Sequence, residues 1–310
     1  MTSPALSRSW PAALAAIAGS ALVGTMPLMA RQLYADGVGP PSMLFWRYVL
    51  ALLPIVVTAR LLRHDLRRAW ADGAWQVALV GATLGSAQTL CFWQSLKTLD
   101  TSIAVLLFYT YPALTLALER VVFRRPIRPL AVLCIAMILI GAALITAPGL
   151  GAGSLDRRGL MWALPAPFFY AAYLAITARL LRRHSPLIGA GFLYLGMSLS
   201  FGIASLLIGL DRPSGTSMWL LLVFVGFGPG ALTMTLFSYS APRLGASSYA
   251  IVANVELVTV VLIGTLVLGE PVTPGRAGGG ALIVMGILLH ALSRKPAAIP
   301  APARPASHPA

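Results

Sequence analysis

Charge is what this sequence has least of. Of its 310 residues only 10% are Asp, Glu, Lys or Arg, and just nine are acidic. A soluble shell needs about a quarter charged residues, so a water-soluble globular domain is excluded. Cysteine is scarcer still. Cys91 and Cys134 both sit inside apolar runs, which excludes a disulfide framework and leaves them as small core residues. The chain has no Gly-x-x-x-x-Gly-Lys loop and so no ATP-hydrolysing site of its own; Gly226-Phe-Gly-Pro-Gly230 is glycine-rich but lacks the lysine. His64, His184, His290 and His308 lie far apart, with no His-Glu-x-x-His pattern. No metal and no cofactor is expected, and no soluble-enzyme chemistry.

Apolar residues fill the space that charge vacates. They make up 58% of the chain, with a mean hydropathy of +0.81. A spanning helix needs roughly 20 largely apolar residues, and ten such runs can be drawn. The first five are Trp10–Ala30, Pro41–Ala59, Trp75–Leu96, Ser102–Val122 and Leu130–Ala147. The second five are Leu160–Thr177, Leu187–Leu210, Met218–Ser240, Ser247–Leu268 and Pro274–Leu292. The first exceeds the 7–15 residues typical of a signal-peptide core and is read as a retained helix. Between the two sets lies a glycine-rich polar linker within Pro148–Gly159, and a Pro/Ala-rich tail from Lys295 is expected to be disordered. The reading is an all-α polytopic membrane protein. Its units are residues 1–149, a linker at 150–159, residues 160–294, and a tail at 295–310.

A net charge of +14 would suggest nucleic acid in a soluble protein. Here the basic residues fall in short links between apolar runs, so the expected partners are the lipid bilayer and a small molecule, with no nucleic acid. With both termini cytoplasmic, the inner segments hold sixteen of the 23 basic residues, among them Arg60, Arg63, Arg67 and Arg68, and Arg120, Arg124, Arg125 and Arg128. Outer loops hold six: Arg31, Lys97, Arg157, Arg158, Arg212 and Arg276. That bias predicts both termini inside.

The two sets of runs are related. Adding 145 to Ser102–Phe123 lands on Ser247–Leu268 without a gap. Identical pairs at that offset include Gly81/Gly226, Gly85/Gly230, Phe92/Phe237, Ser95/Ser240, Pro126/Pro271 and Gly141/Gly286. Five spans is an odd number, so the second copy must enter from the opposite face. An inverted repeat of this kind points to a secondary transporter that alternates its access between the two sides.

Three motifs carry a family resemblance: Phe45-Trp46-Arg47-Tyr48 in the second span, Tyr109-Thr110-Tyr111-Pro112-Ala113-Leu114-Thr115 in the fourth, and Leu266-Val267-Leu268-Gly269-Glu270-Pro271 closing the ninth. With their order and spacing, the chain resembles the ten-helix EamA branch of the drug/metabolite transporter superfamily over nearly its whole length. It departs from the pattern in two places. The first copy closes with Phe123-Arg124-Arg125-Pro126, lacking the Gly-Glu pair, and Leu257 follows Glu256 where the family commonly has proline. The resemblance implies ten transmembrane helices in a bacterial inner membrane and export of amino acids or related metabolites. An importer and a membrane enzyme acting on lipid are the competing readings.

Glu256 leads the candidate site residues, because a carboxylate at mid-bilayer depth is costly unless it is paired, protonated or wetted. It either binds a substrate amino group, exchanges a proton, or sits protonated and hydrogen-bonded between helices. At about 100° per residue, Tyr249, Ala253 and Glu256 share one face of the ninth span, while Asn254 lies near the opposite one. Both faces cannot line one cavity. The repeat mates offer two pairs across the chain, Tyr111 with Glu256 or Tyr109 with Asn254. Pro112 removes a backbone hydrogen bond and frees the Phe108 carbonyl, as a hinge or as a static kink. Arg47 either takes part in a gate or binds a carboxylate, or it extends to the interface. The stripe Gly81, Gly85, Gln88, Phe92, Ser95 reads chiefly as packing, with Gln88 the member suited to a cavity. Tyr170, Tyr173 and Trp93 are either cavity walls or core. The expected substrate is small and neutral, zwitterionic or cationic.

Overall fold

The computed structural model describes residues 4–99, 101–147, 156–267 and 273–292. The tail, most of the linker and the Gly269-Glu270-Pro271 motif lie outside the described residues. All regular structure among those described is helical. In chain order the helices are α1 (Pro4–Val23), α2 (Met26–Ala35), α3 (Pro40–Leu61), α4 (Leu66–Ala69), α5 (Trp75–Val80), α6 (Ser86–Ser95), α7 (Thr101–Phe108), α8 (Tyr111–Val121) and α9 (Pro129–Thr146). There follow α10 (Arg157–Ala163), α11 (Pro165–Leu180), α12 (Pro186–Ile208), α13 (Thr216–Val225), α14 (Thr233–Leu244), α15 (Ala246–Ala253), α16 (Val255–Leu266) and α17 (Pro274–Leu292).

Proline sets many of the starts. Pro40, Pro129, Pro165 and Pro186 each open a helix, where a missing N–H costs nothing and the fixed φ suits the first turn. Side chains cap others: Asp65 accepts from the Arg67 and Arg68 N–H groups at 3.0 Å, and Asp156 accepts from Gly159 N–H at 2.9 Å. Consecutive short helices then join into longer rods. By length and composition, eight helical stretches among the described residues can cross a membrane: Pro40–Leu61, Ile103–Val121, Pro129–Thr146, Arg157–Arg183, Pro186–Ile208, Thr216–Leu244, Ala246–Leu266 and Pro274–Leu292. The other two expected spans take a different form. The first breaks at Gly24–Thr25, where the Thr25 hydroxyl turns back to the Leu22 carbonyl at 2.7 Å, leaving a shorter apolar helix at Trp10–Val23. The third runs through α5 and α6 and is diluted by Thr83, Ser86, Gln88, Thr89 and Gln94.

The outer surface is apolar; Leu206 and Leu207 are each 82% exposed. Such side chains are stable only against lipid. Two wide π-helical turns, Gly81–Gly85 and Gly226–Leu232, interrupt the third and eighth rods. The first packs on α12 and the second on α3. A Cβ on Gly81 would stand 2.4 Å from the Leu193 carbonyl oxygen, and one on Gly196 would stand 1.9 Å from that of Ala78. Backbones that touch in this way drive helix association in lipid, where apolar burial itself supplies nothing. Elsewhere α1 packs on α14 and α16, α11 on α6 and α8, α15 on α8, and α9 on α17. In the last pair the contact is reciprocal: a Cβ on Gly141 would lie 2.6 Å from Gly279 O, and one on Gly279 would lie 2.5 Å from Gly141 O.

Candidate functional site

Polar side chains at mid-depth are where this fold departs from its own composition. The rod made of α7 and α8 is broken at Tyr109–Thr110, just before Pro112, and the Thr110 hydroxyl folds back on the Leu107 carbonyl at 2.7 Å. The rod made of α15 and α16 is broken at Asn254, with no proline present. There the Asn254 amide donates to the Ala250 and Ile251 carbonyls at 2.6 and 3.3 Å, so the side chain competes with the backbone for the carbonyls of its own helix. The two breaks meet. The Tyr111 hydroxyl donates to the same Ala250 carbonyl at 3.2 Å. Tyr111 and Asn254 are both buried, 2% and 0% exposed, and they serve this crossing without lining the cavity beside it.

That cavity has a volume of about 780 Å³. It is walled by the junction of α1 and α2 together with α3, α6, α7, α11, α12 and α14, and by the Tyr249–Glu256 face of α15 and α16. Four of the six residues singled out for binding, Glu256, Tyr109, Gln88 and Arg47, face this one space. Of the two faces of the ninth rod, the one carrying Glu256 borders the cavity, and Asn254 is buried outside its lining. Arg47 and Glu256 are the two charged residues in the lining. No ion pair or protein hydrogen bond joins them or occupies the Glu256 carboxylate among the described residues. The buried Arg47 Nε also has no hydrogen-bond partner, and its guanidinium lies 5.3 Å from the centre of the Tyr48 ring. Gln88 donates to the Thr89 hydroxyl, which in turn reaches the Gly85 carbonyl at 2.8 Å.

Aromatic rings form the rest of the wall. Seven of the nine tyrosines border the cavity: Tyr34, Tyr48, Tyr109, Tyr170, Tyr173, Tyr194 and Tyr249. Phe108 stacks on Tyr170 at 5.3 Å, Tyr170 on Tyr173 at 6.0 Å, and Tyr173 on Phe237 at 5.7 Å, with Phe237 set edge-on to Tyr249 at 5.0 Å. Trp93 is in the wall as well. The reading from sequence passed over Tyr48 and Tyr194. Tyr48 was visible in the Phe45–Tyr48 motif, and Tyr194 as a phenol inside an apolar run, whose hydroxyl donates to Gly230 O at 3.0 Å. Volume, burial and a few convergent polar groups in an apolar wall suit a small-molecule site.

The residues around the cavity extend toward one end of the bundle. The lining runs out to Tyr34, Trp93, Leu96, Ile263 and Gly264, and includes nothing from the end that carries Glu119 and Ser247. There a polar cluster ties α8 to α15. Arg125 Nη1 donates to Glu119 Oε1 at 3.0 Å, and the Ser247 hydroxyl donates to the other carboxylate oxygen. Beside it the Arg179 guanidinium lies 3.1 Å from the Phe123 ring centre. At the opposite end the loop after α12 is laced to the segment before α3. Gly39 N–H donates to Asp211 Oδ2 at 2.9 Å, Trp46 Nε1 to Asp211 O at 3.0 Å, and Ser214 N–H to Asp36 Oδ2 at 2.9 Å. The Ser214 hydroxyl and then its N–H hold the Asp36 carboxyl below the usual range.

The model of the EamA-like transporter family matches residues 10–147 and again 157–292. An uncharacterized transporter of Archaeoglobus fulgidus is 22% identical over 276 residues, covering 89% of this chain and 94% of its own. A solved crystal structure superposes with a TM-score of 0.76 at 20% identity, over 91% of this chain and 96% of that one, which speaks for the fold alone. With both halves of the sequence matched and the cavity framed by helices from each, the chain belongs to the EamA-like transporter family, and so to the drug/metabolite transporter superfamily, as an integral membrane protein.

Proposed function

We propose that this transporter is a secondary exporter of small neutral, zwitterionic or cationic metabolites, working by alternating access in a bacterial inner membrane. The observation that carries the reading is the shared cavity of about 780 Å³, in which an unpaired carboxylate and a guanidinium face one space among tyrosines. Glu256 takes the ammonium group of the substrate, or a proton in exchange for it. Arg47 takes a carboxylate where the substrate has one. The aromatic wall accepts the remainder through apolar contact and cation–π attraction.

Alternating access draws support from the arrangement of the rods. Several contacts between halves have a counterpart under exchange of the halves. The Gly81–Gly85 turn meets α12 as the Gly226–Leu232 turn meets α3; α11 meets α6 and α8 as α1 meets α14 and α16. The broken rods answer one another too, since Tyr109 plus 145 is Asn254. This supports ten spans in two inverted units, residues 1–149 and 160–294, with Pro112 and Asn254 at the corresponding breaks. The basic loops then put the Glu119–Ser247 end in the cytoplasm, and the cavity opens outward. A membrane enzyme acting on lipid would want a second acid or a nucleophile–base pair beside Glu256; among the described residues the lining offers Arg47 and phenols instead.

The test is flux in proteoliposomes across a pH gradient. Glu256→Gln should lower transport about tenfold or more, the worth of one charge-assisted hydrogen bond, and flatten its dependence on pH. Unchanged flux at every pH would remove Glu256 from the mechanism. Thermal stabilisation by candidate amino acids and amines, which shift stability by mass action, identifies the substrate.

A further inference from the structure

On the outside of the bundle, away from the cavity, a groove of about 390 Å³ runs between α3, α12 and the short α4. Its lining is apolar or glycine with one exception, Arg67. We infer that this groove holds an acyl chain of an anionic glycerophospholipid, with the lipid phosphate on Arg67.

Three observations support that occupant. The first is depth. The groove begins at Leu195 on α12 and Leu52 on α3 and ends at Trp70 and Arg67, where the chain leaves the spans. Leu195 lies nine residues into α12, about 13 Å along the helix, which keeps the groove within one leaflet of a hydrocarbon core roughly 30 Å thick. The second is the mouth. Trp70 is 51% exposed and leans on Phe192 with ring centres 5.8 Å apart, and an amphipathic indole settles at headgroup level. The third is charge. Arg68 is 3.9 Å from Asp72, and the Asp65 carboxylate accepts the backbone N–H groups of Arg67 and Arg68. No carboxylate lies within ion-pair distance of the Arg67 guanidinium among the described residues. Arg60 and Arg63 border the same segment. An unpaired guanidinium at the rim of a hydrocarbon-lined slot, inside a basic neighbourhood, matches a lipid with a negative headgroup better than a zwitterionic one. It also argues against a second copy of this chain, whose equivalent face would bring the same positive charges together.

Trp70 supplies the reporter. The full chain is placed in phosphatidylcholine vesicles containing either brominated phosphatidylglycerol or brominated phosphatidylcholine, and Trp70→Phe identifies its share of the tryptophan quenching. In the native chain that share should be quenched at about a fivefold lower mole fraction of the anionic lipid. Arg67→Gln, at an exposed position, should remove the preference. Gly191→Leu fills the slot (a Cβ there already meets Ile55 at 3.4 Å) and should abolish Trp70 quenching by both lipids. Equal quenching by the two lipids in the native chain, or a preference that survives Arg67→Gln, would overturn the inference. So would cross-linking of Val56→Cys between two chains, which would hand the groove to a second copy.

Discussion

One carbonyl oxygen, that of Ala250, accepts both the Tyr111 hydroxyl and the Asn254 amide. These residues caught the eye in the sequence for the same reason as Glu256: each is a polar group at mid-depth. Helical spacing put Asn254 and Glu256 on opposing faces but gave no means of choosing the one that borders the cavity. That choice belongs to α1, α8 and α14, which pack against this rod from elsewhere in the chain. The distinction is testable. Tyr111→Phe removes one buried hydrogen bond and should cost about 1 kcal/mol of stability, seen as a lower melting temperature in detergent with substrate specificity intact. Glu256→Gln should behave in the opposite sense, leaving the melting temperature near its native value while transport falls. If the two variants exchange these behaviours, the division between structural and binding roles is wrong.

At the scale of the element, the stripe Gly81, Gly85, Gln88, Phe92, Ser95 was legible as one helical face, yet its members do three different things. Gly81 and Gly85 meet α12 and Tyr173, Gln88 and Phe92 line the cavity, and Ser95 is fully buried with its hydroxyl on the Phe92 carbonyl. A rod crossing a bundle passes a different neighbour at each level, which spacing along the rod does not encode. The partner glycine was not legible at all: Gly196 lies more than a hundred residues away on α12. Gly196→Ala should destabilise by about 1–3 kcal/mol through overpacking, because its Cβ would overlap the Ala78 carbonyl oxygen at 1.9 Å. Gly278→Ala, where nothing stands within 4 Å, should be neutral or slightly stabilising given the better helix propensity of alanine. Comparing the two melting temperatures checks whether close approach, rather than glycine content, holds the rods together.

For the whole molecule, composition sufficed to establish a helical membrane protein, and the offset of 145 is the argument the chain itself offers for two halves. What composition could not reveal is which end the cavity stops short of, because that depends on a few polar contacts between distant segments. Glu119→Gln combined with Ser247→Ala should loosen that end; a cysteine placed at Met234 in the cavity should then react severalfold faster with a reagent applied from that side. The other end answers to acid. Hydrogen bonds from Ser214 lower the Asp36 carboxyl below its unfolded range, so the tie stabilises above about pH 4 and is lost as pH falls through the lower folded value. The melting-temperature difference between the native chain and Asp36→Asn should accordingly be present at neutral pH and vanish in strong acid. Away from the cavity, α9 and α17 press glycine against glycine, with Ile145 and Ile283 packed beside the contact. Two rods joined so closely cannot slide past each other by a residue's width without losing the whole contact. In the alternating-access cycle proposed above this pair would serve as the fulcrum, with a small tilt beside Gly141 and Gly279 widened into a larger excursion at the cavity.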